Sequence, residues 1–91
     1  MNKTDLISLV AENAQITKDS AGQAVDATFG CITSALQAGD TVRIVGFGNF
    51  QVAFRKASTG RNPRTGEPIQ IPASRVPKFK AGKALKQAVN S

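Results

Sequence analysis

The chain has 91 residues, one Cys, no His and a formal net charge of +6. This length supports a single small domain; the lone cysteine excludes an internal disulfide, and without histidine no zinc site of the usual ligand count can form. The charge is unevenly placed: residues 1–41 set Lys3 and Lys18 against Asp5, Glu12, Asp19, Asp26 and Asp40, for −3, while residues 42–91 hold ten Lys and Arg against Glu67 alone, for +9. Segregated positive charge with a pI near 10.1 points to a polyanion, nucleic acid ahead of an anionic membrane. Apolar runs are short, and Asp5 and Glu12 interrupt the first turns, so neither a signal peptide nor a membrane span is expected and the chain reads as soluble and intracellular. A domain this small buries only about 60% of its unfolded surface. A second subunit is the expected source of the missing stability.

The first helix is expected from about Lys3 to Ala14, with Asn2 as N-cap, Asp5 three residues on, and Leu6, Leu9, Val10 and Ala14 on one face. After a joint at Gln15-Ile16, Thr17 can cap a second helix that carries Asp19 in its first turn and stops at Gly39. Val25, Phe29, Ile32 and Leu36 form a single apolar ridge along it, and so short a joint folds the two helices into a hairpin. Beyond Gly39-Asp40 the period changes from helical to alternating. Val42 and Ile44 begin a strand, Gly46-Phe47-Gly48 makes a tight connection, and Phe50, Val52 and Phe54 alternate with Gln51, Ala53 and Arg55. From Ala57 to Pro68 the apolar content collapses and Gly60, Asn62-Pro63, Thr65-Gly66 and Pro68 mark a turn. Ile69 and Ile71 resume the alternation on a returning strand whose Pro72 and Pro77 suit a free-edged, two-stranded ribbon.

Pairing from about Phe50 to a turn near Pro63 gives an arm some 40 Å long, against a radius of gyration near 12 Å for a compact chain of this size. The ribbon must therefore leave the body, and its outer part should be mobile until bound. Ala81, Ala84, Leu85, Ala88 and Val89 predict a short C-terminal amphipathic helix with Lys80, Lys83 and Lys86 turned outward.

Between Ala53 and Lys80 lie seven basic residues, Arg55, Lys56, Arg61, Arg64, Arg75, Lys78 and Lys80, and one acid. An ordinary solvated loop would have no use for such length and charge. A positive ribbon can enter a DNA groove, and Pro63 at its tip is a rigid apolar wedge of the kind that separates base steps. Gly46-Phe47-Gly48-Asn49-Phe50 fails the dinucleotide fingerprint because Gln51 replaces the third glycine, and it reads as a turn that sends Phe47 and Phe50 into a core with Phe29 and Phe79. Cys31 has no activating neighbour and reads as a half-buried packing residue. The carboxylates look like caps and surface groups, so no catalytic site, metal or cofactor is expected.

Gly46-Phe47-Gly48-Asn49-Phe50, Arg61-Asn62-Pro63-Arg64-Thr65-Gly66 and Val76-Pro77-Lys78-Phe79, at their proper separations, resemble the HU family of bacterial histone-like DNA-binding proteins, which includes integration host factor. The resemblance spans essentially the whole chain. It implies an α+β fold organised as a helical dimerisation base (1–39), a sheet with a long protruding β-arm (40–81, arm about 53–77) and a short C-terminal helix (82–91). It further implies an intertwined dimer with Val25, Phe29, Ile32, Leu36, Phe47, Phe50 and Phe79 in its core, and two arms wrapping the DNA minor groove, which is the family's known mode. By position, Pro63 would intercalate, Arg61, Asn62 and Arg64 would flank it, Arg55, Lys56, Arg75 and Lys78 would line the arm, and Lys80, Lys83 and Lys86 would meet phosphates.

Ser58, where many relatives carry a basic residue, and Glu67 near the tip depart from the pattern. The end at Ser91, without the extension common in integration host factor subunits, favours HU. The expected function is non-catalytic binding, bending and compaction of double-stranded DNA with little sequence preference, nicked or bent forms being favoured. Alternatives are sequence-specific bending of the integration host factor kind and a basic protein-interaction module. The partner is a second copy or a paralogue; RNA is a secondary ligand, a membrane is not expected, and the location is the cytoplasmic nucleoid.

Overall fold

The structure, a computed structural model, describes all of residues 1–91, which form two compact units, Met1–Ser34 and Ala35–Ser91. The elements in chain order are α1 (Lys3–Ala14), α2 (Lys18–Gln37), β1 (Val42–Ile44), β2 (Gly48–Arg55), β3 (Ser58–Arg61), β4 (Pro68–Ile71), β5 (Ser74–Ala81) and α3 (Lys83–Val89).

In the first unit, both ends of α1 are set by local chemistry. The Asn2 side chain accepts from the Asp5 amide at 2.9 Å while the Asp5 carboxylate accepts from the Asn2 amide at 3.1 Å, a reciprocal cap that satisfies two otherwise unpaired donors. Gln15 ends the helix in a left-handed conformation, φ 56°. Thr17 then accepts from the Ser20 amide at 3.1 Å and opens α2. Ile7 of α1 lies over Gly22 of α2, where a Cβ would sit 4.0 Å from its Cγ2, and Lys3 reaches Asp26 at 2.6 Å. Only Ala11, Ala21 and Val25 are buried apolar residues. Leu6, Val10, Ala24, Val25, Thr28 and Phe29 line an apolar groove of about 230 Å³. Cys31, expected to be half-buried, is exposed.

The second unit begins with the last turn of α2. Its end satisfies two terminal carbonyls at once: Gly39 N–H donates to the Leu36 carbonyl at 3.0 Å and Asp40 N–H to that of Ala35 at 2.9 Å. Strands β1, β2 and β5 form an antiparallel sheet in that order. The β1–β2 connection closes through Phe47 N–H to the Ile44 carbonyl at 3.0 Å, with Gly46 at φ +82° in the turn position that requires a positive angle. Gly48 is needed for a different reason. A Cβ there would lie 2.6 Å from both the Lys80 carbonyl oxygen and the Phe79 ring, so β5 crosses too closely for any side chain. Phe79 sits between Phe47 and Phe50, ring centroids 5.4 and 4.8 Å away, in tilted contacts.

The arm differs in one respect from a single uninterrupted ribbon. Strands β2 and β5 pair from Gly48↔Ala81 to Arg55↔Ser74, and the separate β3–β4 ladder runs from Ser58↔Ile71 to Arg61↔Pro68. Lys56 and Ala57 on one side, and Pro72 and Ala73 on the other, belong to neither. Pro72 offers no donor to a ladder, and its ring restrains the residue before it. Pro77 stays in the ladder opposite Val52, because β5 has a neighbour on one side only and alternate nitrogens of an edge strand need no partner. The register offset is the same in both ladders, so the gap neither inserts nor deletes a residue. Lys80 and Ala81, expected at the C-terminal helix, are the last residues of β5, and α3 starts at Lys83.

The chain exposes 7388 Å², where a folded monomer of its mass, 9.5 kDa, exposes roughly 5000 Å². Phe29, Phe47 and Phe79, at 49%, 44% and 44%, are among the exposed apolar residues. No helix is long and apolar enough to cross a membrane.

Candidate nucleic-acid interface

Strand pairing sorts the second unit's side chains onto two faces, because successive residues of a strand alternate and directly paired residues share a side. Val42, Phe50 and Phe79 lie in one row, and Ile44, Val52, Phe54 and Pro77 occupy the same face. The opposite face carries the row Arg43–Asn49–Lys80, the pair Gln51↔Lys78 and, at its outer end, Arg55↔Ser74. Three of the expected contacts, Arg55, Lys78 and Lys80, are thus brought together on one surface. Arg43 joins them, a residue absent from the expected set. Its position between Val42 and Ile44 was the signal: period-two alternation alone turns it away from the apolar face.

Lys56 lies in the gap between the ladders, and Arg61 closes β3 opposite Pro68. Beyond it the chain turns through Asn62–Glu67, organised by Asn62. The Asn62 amide donates to the Glu67 carbonyl at 2.9 Å, its carbonyl accepts from Gly66 N–H at 2.8 Å, and its side-chain oxygen accepts from Arg64 N–H at 2.9 Å. Thr65 Oγ1 accepts from the Glu67 amide at 3.3 Å. These bonds bracket Pro63, which is exposed, so the ring is presented by a closed turn. The side-chain oxygen of Asn62 is thus engaged within the protein. Lys83 and Lys86 stand on α3, three residues apart and exposed.

Arg75 is placed differently from the other expected contacts. It pairs with Phe54 on the apolar side of the sheet, and its Nη1 donates to the Gln37 carbonyl at 3.3 Å.

The chain's single ion pair joins Lys3 and Asp26 in the helical unit. All ten Lys and Arg of residues 42–91 are therefore without a carboxylate partner. A surface built this way repels itself until a polyanion covers it. The exposed Phe54 lies on the opposite face of the sheet from the basic row, and Phe47, Phe50 and Phe79 are packed on one another, so the basic face suits phosphates and a duplex groove rather than unpaired bases.

Residues 1–90 match the family described as bacterial DNA-binding protein. The DNA-binding protein HU of Staphylococcus aureus is 62% identical over 89 residues, covering 98% of this chain and 99% of that protein. That of Geobacillus stearothermophilus is 60% identical over the same coverage. Among solved structures, an Anabaena HU–DNA cocrystal superposes with a TM-score of 0.92 at 47% identity, covering 98% of this chain and 97% of that one. HU from Thermotoga maritima gives 0.71 at 38% identity, with 98% of each chain covered. The chain belongs to the HU family of bacterial DNA-binding proteins, which are non-catalytic and architectural.

Proposed function

We propose that this protein binds double-stranded DNA as a dimer, laying the basic sheet face against phosphates and passing its two arms along the minor groove, with Pro63 wedged between bases to stabilise a bend. The observation that carries the reading is the unpaired row of Arg43, Lys80, Lys78 and Arg55 on one face, leading by way of the arm to an exposed proline held in a closed turn. Phosphate contacts supply affinity with little sequence information, and the cost of deforming the duplex selects where binding is tightest. Unstacking a step costs a few kcal/mol, so DNA already nicked or bent is bound more tightly than an intact duplex.

The dimer is supported by surface. About 2400 Å² more is exposed than a monomer of this mass requires, and half-exposed Phe29, Phe47 and Phe79 are apolar groups that a second copy would cover. Its location with the DNA in the cytoplasmic nucleoid follows from the same reading. Pro63→Ala tests the wedge: energy transfer across end-labelled duplexes should report a smaller bend and a weaker preference for nicked DNA, while salt-sensitive affinity largely persists. An unchanged bend and preference would reduce Pro63 to a turn residue.

A further inference from the structure

The bond from Arg75 to Gln37 is the only side-chain hydrogen bond in the chain that spans more than four residues. Three features converge on it. The last turn of a helix leaves carbonyls without intrahelical donors; here Gly39 and Asp40 satisfy Leu36 and Ala35, and the Gln37 carbonyl is met by the guanidinium. That helix end also carries partial negative charge, and α2 has no basic residue of its own in its last turn, so a cation brought from the sheet meets a favourable field. Finally, the register puts Arg75 on the side of Phe54, Pro77 and Phe79, opposite the face that carries Arg43, Arg55, Lys78 and Lys80.

We propose that Arg75 is a positioning residue of the arm: its guanidinium ties the start of β5 to the last turn of α2, fixes the direction in which the arm leaves the sheet, and is not itself a phosphate contact. The location is suited to that task. Ser74↔Arg55 is the last pair of the inner ladder, and the unpaired stretch of Pro72 and Ala73 follows immediately. A tether in the inner ladder, with only Ser74 between it and the gap, holds the rigid side of the joint while the outer ladder is left to move. Charge counting along the arm would assign Arg75 to DNA; the geometry gives it to the protein.

The inference rests on the DNA-binding reading above, and its test separates the two. Arg75→Ala and Arg75→Gln are compared with Arg55→Ala, by salt dependence of duplex affinity, by bend in end-labelled DNA, and by amide exchange in the free protein. Arg55→Ala should reduce the slope of log affinity against log salt by about 0.9 for each subunit's lost contact. Arg75→Ala should leave that slope at the wild-type value, reduce the bend, and speed exchange of the Gly39 and Asp40 amides by about fivefold without DNA, the effect expected from losing one helix-end interaction. The glutamine variant, neutral but still a donor, should keep the wild-type slope with a smaller gain in exchange, and it carries the test if the alanine variant does not fold.

A slope reduced as far as in Arg55→Ala, or Gly39 and Asp40 exchange at the wild-type rate in both variants, would overturn the assignment. Salt-insensitive DNA binding by the wild type would instead overturn the DNA-binding reading.

Discussion

The inner and outer parts of the arm share one register but little else. In the inner ladder, β2 and β5 are half-buried along much of β2, brace a third strand, and carry Phe50 and Phe79 in direct contact. In the outer ladder four residue pairs stand alone, and Gly60 is the only residue of β3 or β4 that is even half-buried. It is covered by Ile71, whose Cδ1 would lie 3.0 Å from a Cβ at that position. Isolated two-stranded ribbons are marginal in water. The inner ladder thus draws its order from packing within the protein, while the outer ladder has almost no packing of its own.

The largest effect is expected from removing charge from the arm. If a dimer neutralises about six or more phosphates, affinity should fall roughly a thousandfold between about 50 and 200 mM salt. Replacing Arg55, Arg61 and Arg64 together with Ala should flatten that dependence while leaving the melting transition nearly unchanged, since none of the three has an ion-pair partner to lose. A large fall in melting temperature would mean that these charges also hold the fold. A smaller effect of opposite character is expected at the inner end. Phe79→Ala removes the centre of the aromatic trio and should destabilise the protein by about 3 kcal/mol in chemical denaturation; a loss below about 1 kcal/mol would place the body's stability elsewhere. The smallest effect belongs to the outer ladder, where Ile71→Ser should change global stability by no more than about 0.5 kcal/mol. An Ile71 effect rivalling that of Phe79 would erase the distinction between the two halves.

Much of this was legible from local chemistry. The pairing of Asn2 with Asp5, the stop at Gly39, and the switch of period at Val42 each depend on residues close in sequence, and α1 appears where they put it. The interruption at Lys56–Ala57 was not legible, because Pro72 acts on residues that only strand pairing brings opposite it. The bond of Arg75 was not legible for a related reason: its charge is visible in the sequence, whereas the helix carbonyl it meets lies 38 positions away. Arg43 is the converse case: alternation with Val42 and Ile44 is enough to place it on the basic face, although it lies outside the densest run of charge. The exposure of Cys31 and Phe29 could not be read from a ridge pattern, since periodicity says which residues share a face and not what covers it.

The shared register has a consequence for altering the arm's length. Because the two ladders keep one offset across the gap, the arm behaves as a cassette measured in matched pairs. Adding two residues to each strand would extend its reach by about 6.8 Å and return every side chain to its own face. Adding one to each would send the outer ladder's side chains to the opposite side relative to the sheet. Lengthening by even steps would therefore let the tip reach farther along a duplex without redesigning the surface that meets it.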